Sequence, residues 1–215
     1  VGATGSYASA LLLVADCLCL RSLDVEGRPD HTMITRDKIS FRPLQLADLS
    51  LMHRWLNTPH VSRWYYDKEP NLPPTFEEVV AEYTLCIEGK EPTRAFLILY
   101  ADKPIGYIQT YRIGDHPEYS RYVCEDEDAA GVDIFIGESD YVHQGLGPAI
   151  MRQFLREIVF ADSRVVSCII GPEPENRVAI RAYEKAGFKY LKTIQVPDEP
   201  QPEYLMRIAR EGVLR

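Results

Sequence analysis

The chain has 215 residues, 46% of them hydrophobic and 26% charged, with a net charge of −8. That length suffices for one domain with a sizeable core and a short appendage. The acidic balance disfavours nucleic acid and anionic membranes as partners and suits a cationic ligand. Five cysteines without zinc-like spacing point to free thiols in a reducing, cytoplasmic compartment, and the lone Cys17-x-Cys19 pair suggests no metal.

Residues Val1–Thr32 stand apart. Tyr7 to Leu20 is mostly apolar but, at about fourteen residues, too short to span a bilayer. No basic segment precedes it, as a secretory signal would require. Met33 opens a charged, domain-like stretch, so 1–32 reads as an appended or non-native extension and 33–215 as one domain.

Ile39 to Leu44 reads as a first strand. Leu46, Leu49, Met52, Trp55 and Leu56 then recur at helical spacing, and Asn57-Thr58-Pro59-His60 ends that helix. An aromatic cluster, Val61 to Tyr66, leads into a loop with Pro70, Pro73 and Pro74. Thr75 and Glu78 make a capping box for a helix whose buried side is Phe76, Val79, Val80, Tyr83 and Leu85 to Ile87. Ala95–Tyr100 and Gly106–Tyr111 read as antiparallel strands across the turn Ala101–Pro104. A polar, acidic loop runs from Gly114 to Ala130. Gly131–Gly137 is the next strand, apolar and β-branched, with one carboxylate, Asp133, at its middle.

A glycine turn follows. In Gln144-Gly145-Leu146-Gly147-Pro148-Ala149 the two glycines let successive N–H groups converge on an anion, and Pro148 suits the first turn of a helix. Ile150, Met151, Phe154, Leu155, Ile158 and Val159 give that helix one apolar face. A helix opened in this way is a phosphate site. The turn lacks the lysine and Ser/Thr of a P-loop and there is no G-x-G-x-x-G, which weakens triphosphate and dinucleotide readings. Val165–Ile170 is a further strand. Asn176 caps, and Gly187 closes, a helix with Ala179, Ala182, Tyr183 and Ala186 on one side. Phe188–Val196 and Glu203–Ile208 are the last strands, so the sum is an α+β domain with a central mixed sheet.

The Asp133 strand, the Gln144–Gly147 turn and Asn176…Ala179-Ile180…Tyr183-Glu184-Lys185-Ala186-Gly187-Phe188 together resemble the GNAT acyl-CoA N-acyltransferase superfamily. Within it, the chain is similar to the aminoglycoside 6′-N-acetyltransferases. The likeness runs from Ile39 to Ile208 and includes Trp55-Leu56-Asn57, Pro104-Ile105-Gly106-Tyr107 and Pro197-Asp198. It implies a three-layer fold with a mixed, largely antiparallel sheet flanked by helices. It also implies acetyl-CoA as co-substrate, a cationic aminosugar as acceptor, and direct transfer in a ternary complex by a monomer or weak homodimer. Two residues depart from the pattern. Val142 stands where an Arg or Gln is common, leaving anion binding to the backbone N–H groups of Gln144 to Ala149. Gly171 stands where relatives carry an Asp.

Asp133 is the candidate general base, with a structural ion pair or an outward-facing side chain as the plainer alternatives; Tyr183 is the candidate general acid, or otherwise core. Polarisation of the thioester carbonyl falls to a backbone N–H at Ile134 or Phe135. The resemblance assigns Gln144, Gly145, Leu146, Gly147, Pro148, Ala149, Asn176, Ala179 and Lys185 to CoA, although helix capping alone also explains Asn176. On the acceptor side, Asp115, Glu118, Glu125 to Asp128, Asp198 and Glu199 offer carboxylates and Gln109 an amide. Trp64, Tyr65 and Tyr111 either stack on sugars or belong to the core. This reading needs Asp133 and the Gly145/Gly147 bend on one side of the sheet. Its rivals are acylation of an N-hydroxylysine-type siderophore precursor or a protein N-terminus, and noncatalytic acyl-CoA binding. The joint presence of Asp133 and Tyr183 speaks for catalysis.

Overall fold

The computed structural model describes residues 38–65, 73–123, 128–197 and 201–214. The expectations for Val1–Thr32, Cys17, Cys19, Tyr66, Pro70, Glu125 to Glu127, Asp198 and Glu199 lie outside the described residues.

Seven strands build one sheet: β1 (Ile39–Pro43), β2 (Arg94–Tyr100), β3 (Lys103–Arg112), β4 (Ala129–Ile136), β5 (Ser167–Ile170), β6 (Lys189–Ile194) and β7 (Glu203–Ala209). Their order is β1-β2-β3-β4-β5-β7-β6. Neighbours are antiparallel except β4 and β5, which are parallel. The helices are α1 (Leu49–Leu56), α2 (Pro59–Tyr65), α3 (Phe76–Ile87), α4 (Pro117–Val123), α5 (Gly147–Phe154), α6 (Arg177–Ala186) and α7 (Glu211–Leu214). A π-helical turn, Leu155–Val159, extends α5.

The unbroken apolar run of β2 reflects a strand covered on both faces. Phe96, Ile98 and Tyr100 pack with Ile150, Met151 and Phe154 of α5, whereas Ala95 and Leu97 pack with Trp55, Val79 and Tyr83 of α1 and α3. Helix, sheet and helix therefore form the three layers expected. The capping box forms as read, with Thr75 Oγ1 accepting from Glu78 N–H at 3.2 Å and Glu78 Oε2 accepting from Thr75 N–H at 2.8 Å. Gly187, at φ 110°, ends α6, where Phe188 N–H donates to Tyr183 O and Gly187 N–H to Glu184 O, both at 3.0 Å.

Several local expectations need correction. The first helix ends at Leu56 before Asn57, as read, and Pro59 then opens the unforeseen α2, where a first-turn proline lacks only an N–H that would have no partner. The acidic loop contains α4 and a 3₁₀ turn at Ile113–Asp115. Leu46 lies in a 3₁₀ turn before α1 and is exposed, as are Phe76 and Leu85, so α3 is anchored by Val79 and Tyr83. Among the described residues no helix is long and apolar enough to cross a membrane.

The feature that positions the site is an incomplete strand pair. β4 pairs with β5 only through Ala129↔Ser167, Ala130↔Cys168 and Gly131↔Ile169, while β4 runs on to Ile136 beside β3. Just past its end, Gly137 lies against the fully buried Trp55; a Cβ there would fall 2.3–2.5 Å from the indole. Gly137→Ala is expected to cost about 2 kcal/mol or more by overpacking, read from the urea midpoint. An unchanged midpoint would contradict this packing.

Candidate functional site

Backbone groups alternate between the two edges of a strand. Gly137 N–H donates to Ile105 O at 2.8 Å, whereas Asp128 O accepts from Val166 N–H at 3.1 Å. The odd-numbered residues of β4 therefore address β3 and the even-numbered ones address β5. Past Gly131 the β5 side falls away: no pair follows Gly131↔Ile169, and the chain stays with β7, where Pro172 O accepts from Tyr204 N–H at 2.8 Å. His60 Nε2–H donates to Ile136 O at 3.1 Å. Ile134 is left presenting its N–H and C=O to the opening. Phe135 turns its backbone toward β3, opposite Tyr107, and its ring into the core. Of the two N–H groups expected to reach a carbonyl, only that of Ile134 faces the gap.

The glycine bend flanks this opening. His143 and Gly145 have φ of +60° and +74°, a left-handed alternation that turns successive N–H groups toward a common point. The expected donor set narrows: Pro148 has no N–H and Ala149 donates to Leu146 O at 2.9 Å, leaving Gln144 to Gly147. The Gln144 side chain is exposed and does not line the cleft.

Side-chain parity corrects one expectation. Asp133 shares a face with Tyr107 and Phe135, toward α1 and α3, whereas α5 covers the other face. The carboxylate and the bend are thus not on one side of the sheet. They meet because the gap between β4 and β5 passes through it. A single cleft of about 2310 Å³ is lined by Asp133, Ile134 and Gln109 and equally by Gly145 to Ala149 and Tyr183.

Asp133 is half-buried in that cleft, and desolvation pushes its pKa up to about 6, against a lowering by the Gln109 N–H that reaches Oδ2 at 2.8 Å. Burial raises the Tyr183 phenol as well, and the Asp133 charge raises it further, so the two groups sit within electrostatic reach. No ion pair holds Asp133 among the described residues, and the side chain that donates to it is Gln109.

The other expected residues divide. Asn176 Oδ1 accepts from Ala179 N–H at 3.1 Å, committing that N–H to the cap; Asn176, Ala179 and Lys185 all line the cleft. Asp115 and Glu118 line it too, and Glu118 pairs with Arg121 at 3.0 Å. Trp64 carries the Arg63 guanidinium 4.7 Å from its ring centroid. Tyr65 packs edge-on against Phe135 at 4.7 Å, and Tyr111 lies over Gly131 with His116 at its edge. These rings are walls of the cleft as well as parts of the packing.

Sequence reasoning missed Arg177 and Arg181, which with Lys185 form a four-residue repeat of cations along α6; none forms an ion pair among the described residues. That spacing was the available signal. It also missed Glu203, whose Oε2 lies 2.3 Å from where a Cβ on Gly171 would stand and accepts from Tyr119 Oη at 2.7 Å. A carboxylate from β7 thus occupies the space beside the glycine departure.

A parallel pair that parts beside a helix-start anion site receives an extended, phosphate-bearing ligand, and a carboxylate titrating near neutrality there suits proton transfer. Fold and site define a group-transfer enzyme. Residues 45–196 match the acetyltransferase (GNAT) domain model, and the chain belongs to that family. The aminoglycoside N(6′)-acetyltransferase type 1 of Klebsiella pneumoniae is 29% identical over 177 residues, covering 81% of this chain and 86% of that protein. The counterpart from Serratia marcescens matches to the same extent. The structure of AAC(6′)-Ib in complex with ribostamycin and coenzyme A superposes with a TM-score of 0.74 at 29% identity, over 83% of this chain and 97% of that one.

A stability consequence follows from the raised carboxylate. The unfolded chain releases this proton near 4, the native protein only at about 6. Between those values the folded state holds more protons, so this group's contribution to stability falls as pH rises and stays unfavourable above the folded pKa. Asp133→Asn is therefore expected to stabilise the protein by about 2 kcal/mol at pH 7.5 and by little at pH 4, in urea unfolding at both values. A variant less stable than the parent at pH 7.5 would contradict the burial argument.

Proposed function

We propose that the protein transfers the acetyl group of acetyl-CoA to the 6′-amine of an aminoglycoside, directly within a ternary complex, and acts in the cytoplasm as a monomer or weak homodimer. The observation that carries the reading is the opening between β4 and β5, with an acidic group on one side and anion-binding N–H groups on the other. The relatives named for this activity add to it.

The residues fit acetyl-CoA. Gln144 to Gly147 offer N–H groups to a pyrophosphate, with Arg177, Arg181 and Lys185 beside the same cleft. The free N–H and C=O of Ile134 suit a pantetheine amide lying where β5 would otherwise continue. Bound there, acetyl-CoA supplies an activated thioester. Asp133 orients the acceptor ammonium and takes its proton, directly or through water, as the nitrogen forms its bond to the carbonyl carbon. Ile134 N–H stabilises the charge on the carbonyl oxygen. Tyr183 gives its proton to sulfur as the C–S bond breaks, and the second proton that nitrogen sheds in becoming an amide restores the phenol. The Asp133 charge raises the Tyr183 pKa, so neutralising Asp133 makes the phenol a better acid when the thiolate departs. Asp115, Glu118 and Glu203 line the acceptor side and favour a substrate with several ammonium groups.

The test is thiol release from acetyl-CoA with kanamycin, alongside polyamine, peptide and N-hydroxylysine acceptors, and location of the acetyl group by NMR. Kanamycin should be acetylated at the 6′-amine; turnover with peptide alone would overturn the reading. Asp133→Asn should lower kcat by about 10²- to 10⁴-fold with acetyl-CoA affinity nearly unchanged. Normal turnover in that variant would remove Asp133 as the base.

A further inference from the structure

Gln109 stands opposite Asp133 in the β3–β4 register, and Tyr107 precedes it by two residues on the same face. The Tyr107 ring has 0% exposure and packs against Tyr83 and Phe135, at 5.5 and 5.4 Å between centroids. Its Oη donates to Gln109 Oε1 at 2.6 Å, and Gln109 Nε2 donates to Asp133 Oδ2 at 2.8 Å. We propose that Tyr107 is a positioning residue for acyl transfer: its buried hydroxyl fixes the Gln109 amide so that an N–H, not the carbonyl, faces Asp133. The inference rests on the reading of Asp133 as the base.

The argument is one of donors and acceptors. An amide at this place has two orientations related by a flip. Turned the other way, Gln109 would set Oε1 against the carboxylate and leave the Tyr107 hydroxyl proton with no acceptor in a dry core, a costly arrangement. Both ends of the link therefore select the same orientation. Without the hydroxyl that selection is lost, and the flipped amide, which accepts from a protonated Asp133, becomes available. The protonated form of Asp133 then gains at the expense of the charged one.

Among the described residues, burial favours the protonated form of Asp133 and the Gln109 hydrogen bond opposes it. The other titratable groups among the described residues that bear on it are Tyr107 on β3, Cys168 on β5 and Tyr183 on α6, and burial pushes each of them up, so all are neutral at working pH. Opposite Tyr107, the Tyr83 ring of α3 packs edge-on at 5.5 Å. The Gln109 N–H is the interaction that favours the carboxylate form.

The experiment is the pH dependence of kcat/KM for kanamycin with acetyl-CoA in the parent, Tyr107→Phe, Gln109→Leu, their double variant and Asp133→Asn, with thermal melts as a fold check. The parent's acidic limb should fall at about 6. In Tyr107→Phe, which keeps the ring and its packing, the limb should move up by about 1 unit. Gln109→Leu should move it at least as far, and the double variant no farther than Gln109→Leu. A Tyr107→Phe limb that stays with the parent's, or a double variant in which the shifts add, makes Tyr107 a packing residue and overturns the proposal. Should Tyr107→Phe fail to fold, an unmoved limb in Gln109→Leu overturns it from the other end of the link. Full activity with an unmoved limb in Asp133→Asn would instead defeat the base reading, and the proposal with it.

Discussion

The early end of the β4–β5 ladder is the constraint on which the rest of the site depends. A parallel pair elsewhere in such a sheet would extend along most of both strands; here it ends after three residue pairs. Beyond that point the chain keeps to β7, to which Pro172 gives its carbonyl. The backbone of Ile134 is thereby left with groups that water or a ligand must satisfy, since an unmade hydrogen bond in a dry interior costs about 1–3 kcal/mol. The same opening breaches the barrier that separates the two faces of the sheet. That breach is what lets a carboxylate on the α1/α3 face and the glycine bend at the start of α5 share one cleft.

The chemistry of the cleft comes from low polarity more than from charge pairing. Asp133 has an amide for company where an arginine would have held it permanently ionised. Its pKa of about 6 keeps it ready to accept a proton near neutral pH. That arrangement is unfavourable to folding at neutral pH and is tolerated because two well-packed cores clamp the strand from both sides. Tyr183 is subject to the same burial and to the same carboxylate, so the states of the two groups are linked. Beyond them, the cations of α6 and carboxylates of α4 and β7 line the same cleft in an otherwise acidic protein.

Much of this was legible in the chain itself. The apolar run of β2, the capping box at Thr75 and Glu78, and the closing Gly187 are local signals, and each produced the element it foretold. The bend could be read because glycine permits, and proline fixes, particular backbone angles wherever they occur. What escaped was tertiary. Both faces of β4 are covered, so alternation along Gly131–Gly137 cannot say which face α5 takes, and Asp133 was assigned to the wrong side. The termination of the ladder lies in the pairing of Pro172 with a strand more than thirty residues later. Short helices such as α2 and α4 bury few residues and leave little periodicity. Glu203 became visible only when the sheet brought β7 against Gly171.

The most direct test is a crystal structure of the protein with coenzyme A and kanamycin bound together. The account predicts a pantetheine arm running through the gap with an amide on the backbone of Ile134, its sulfur beside Tyr183, and the 6′-nitrogen of the sugar at hydrogen-bonding distance from Asp133 or from a water it holds. A pantetheine lying elsewhere, or an amine reaching the sulfur from a direction that leaves Asp133 uncontacted, would contradict it.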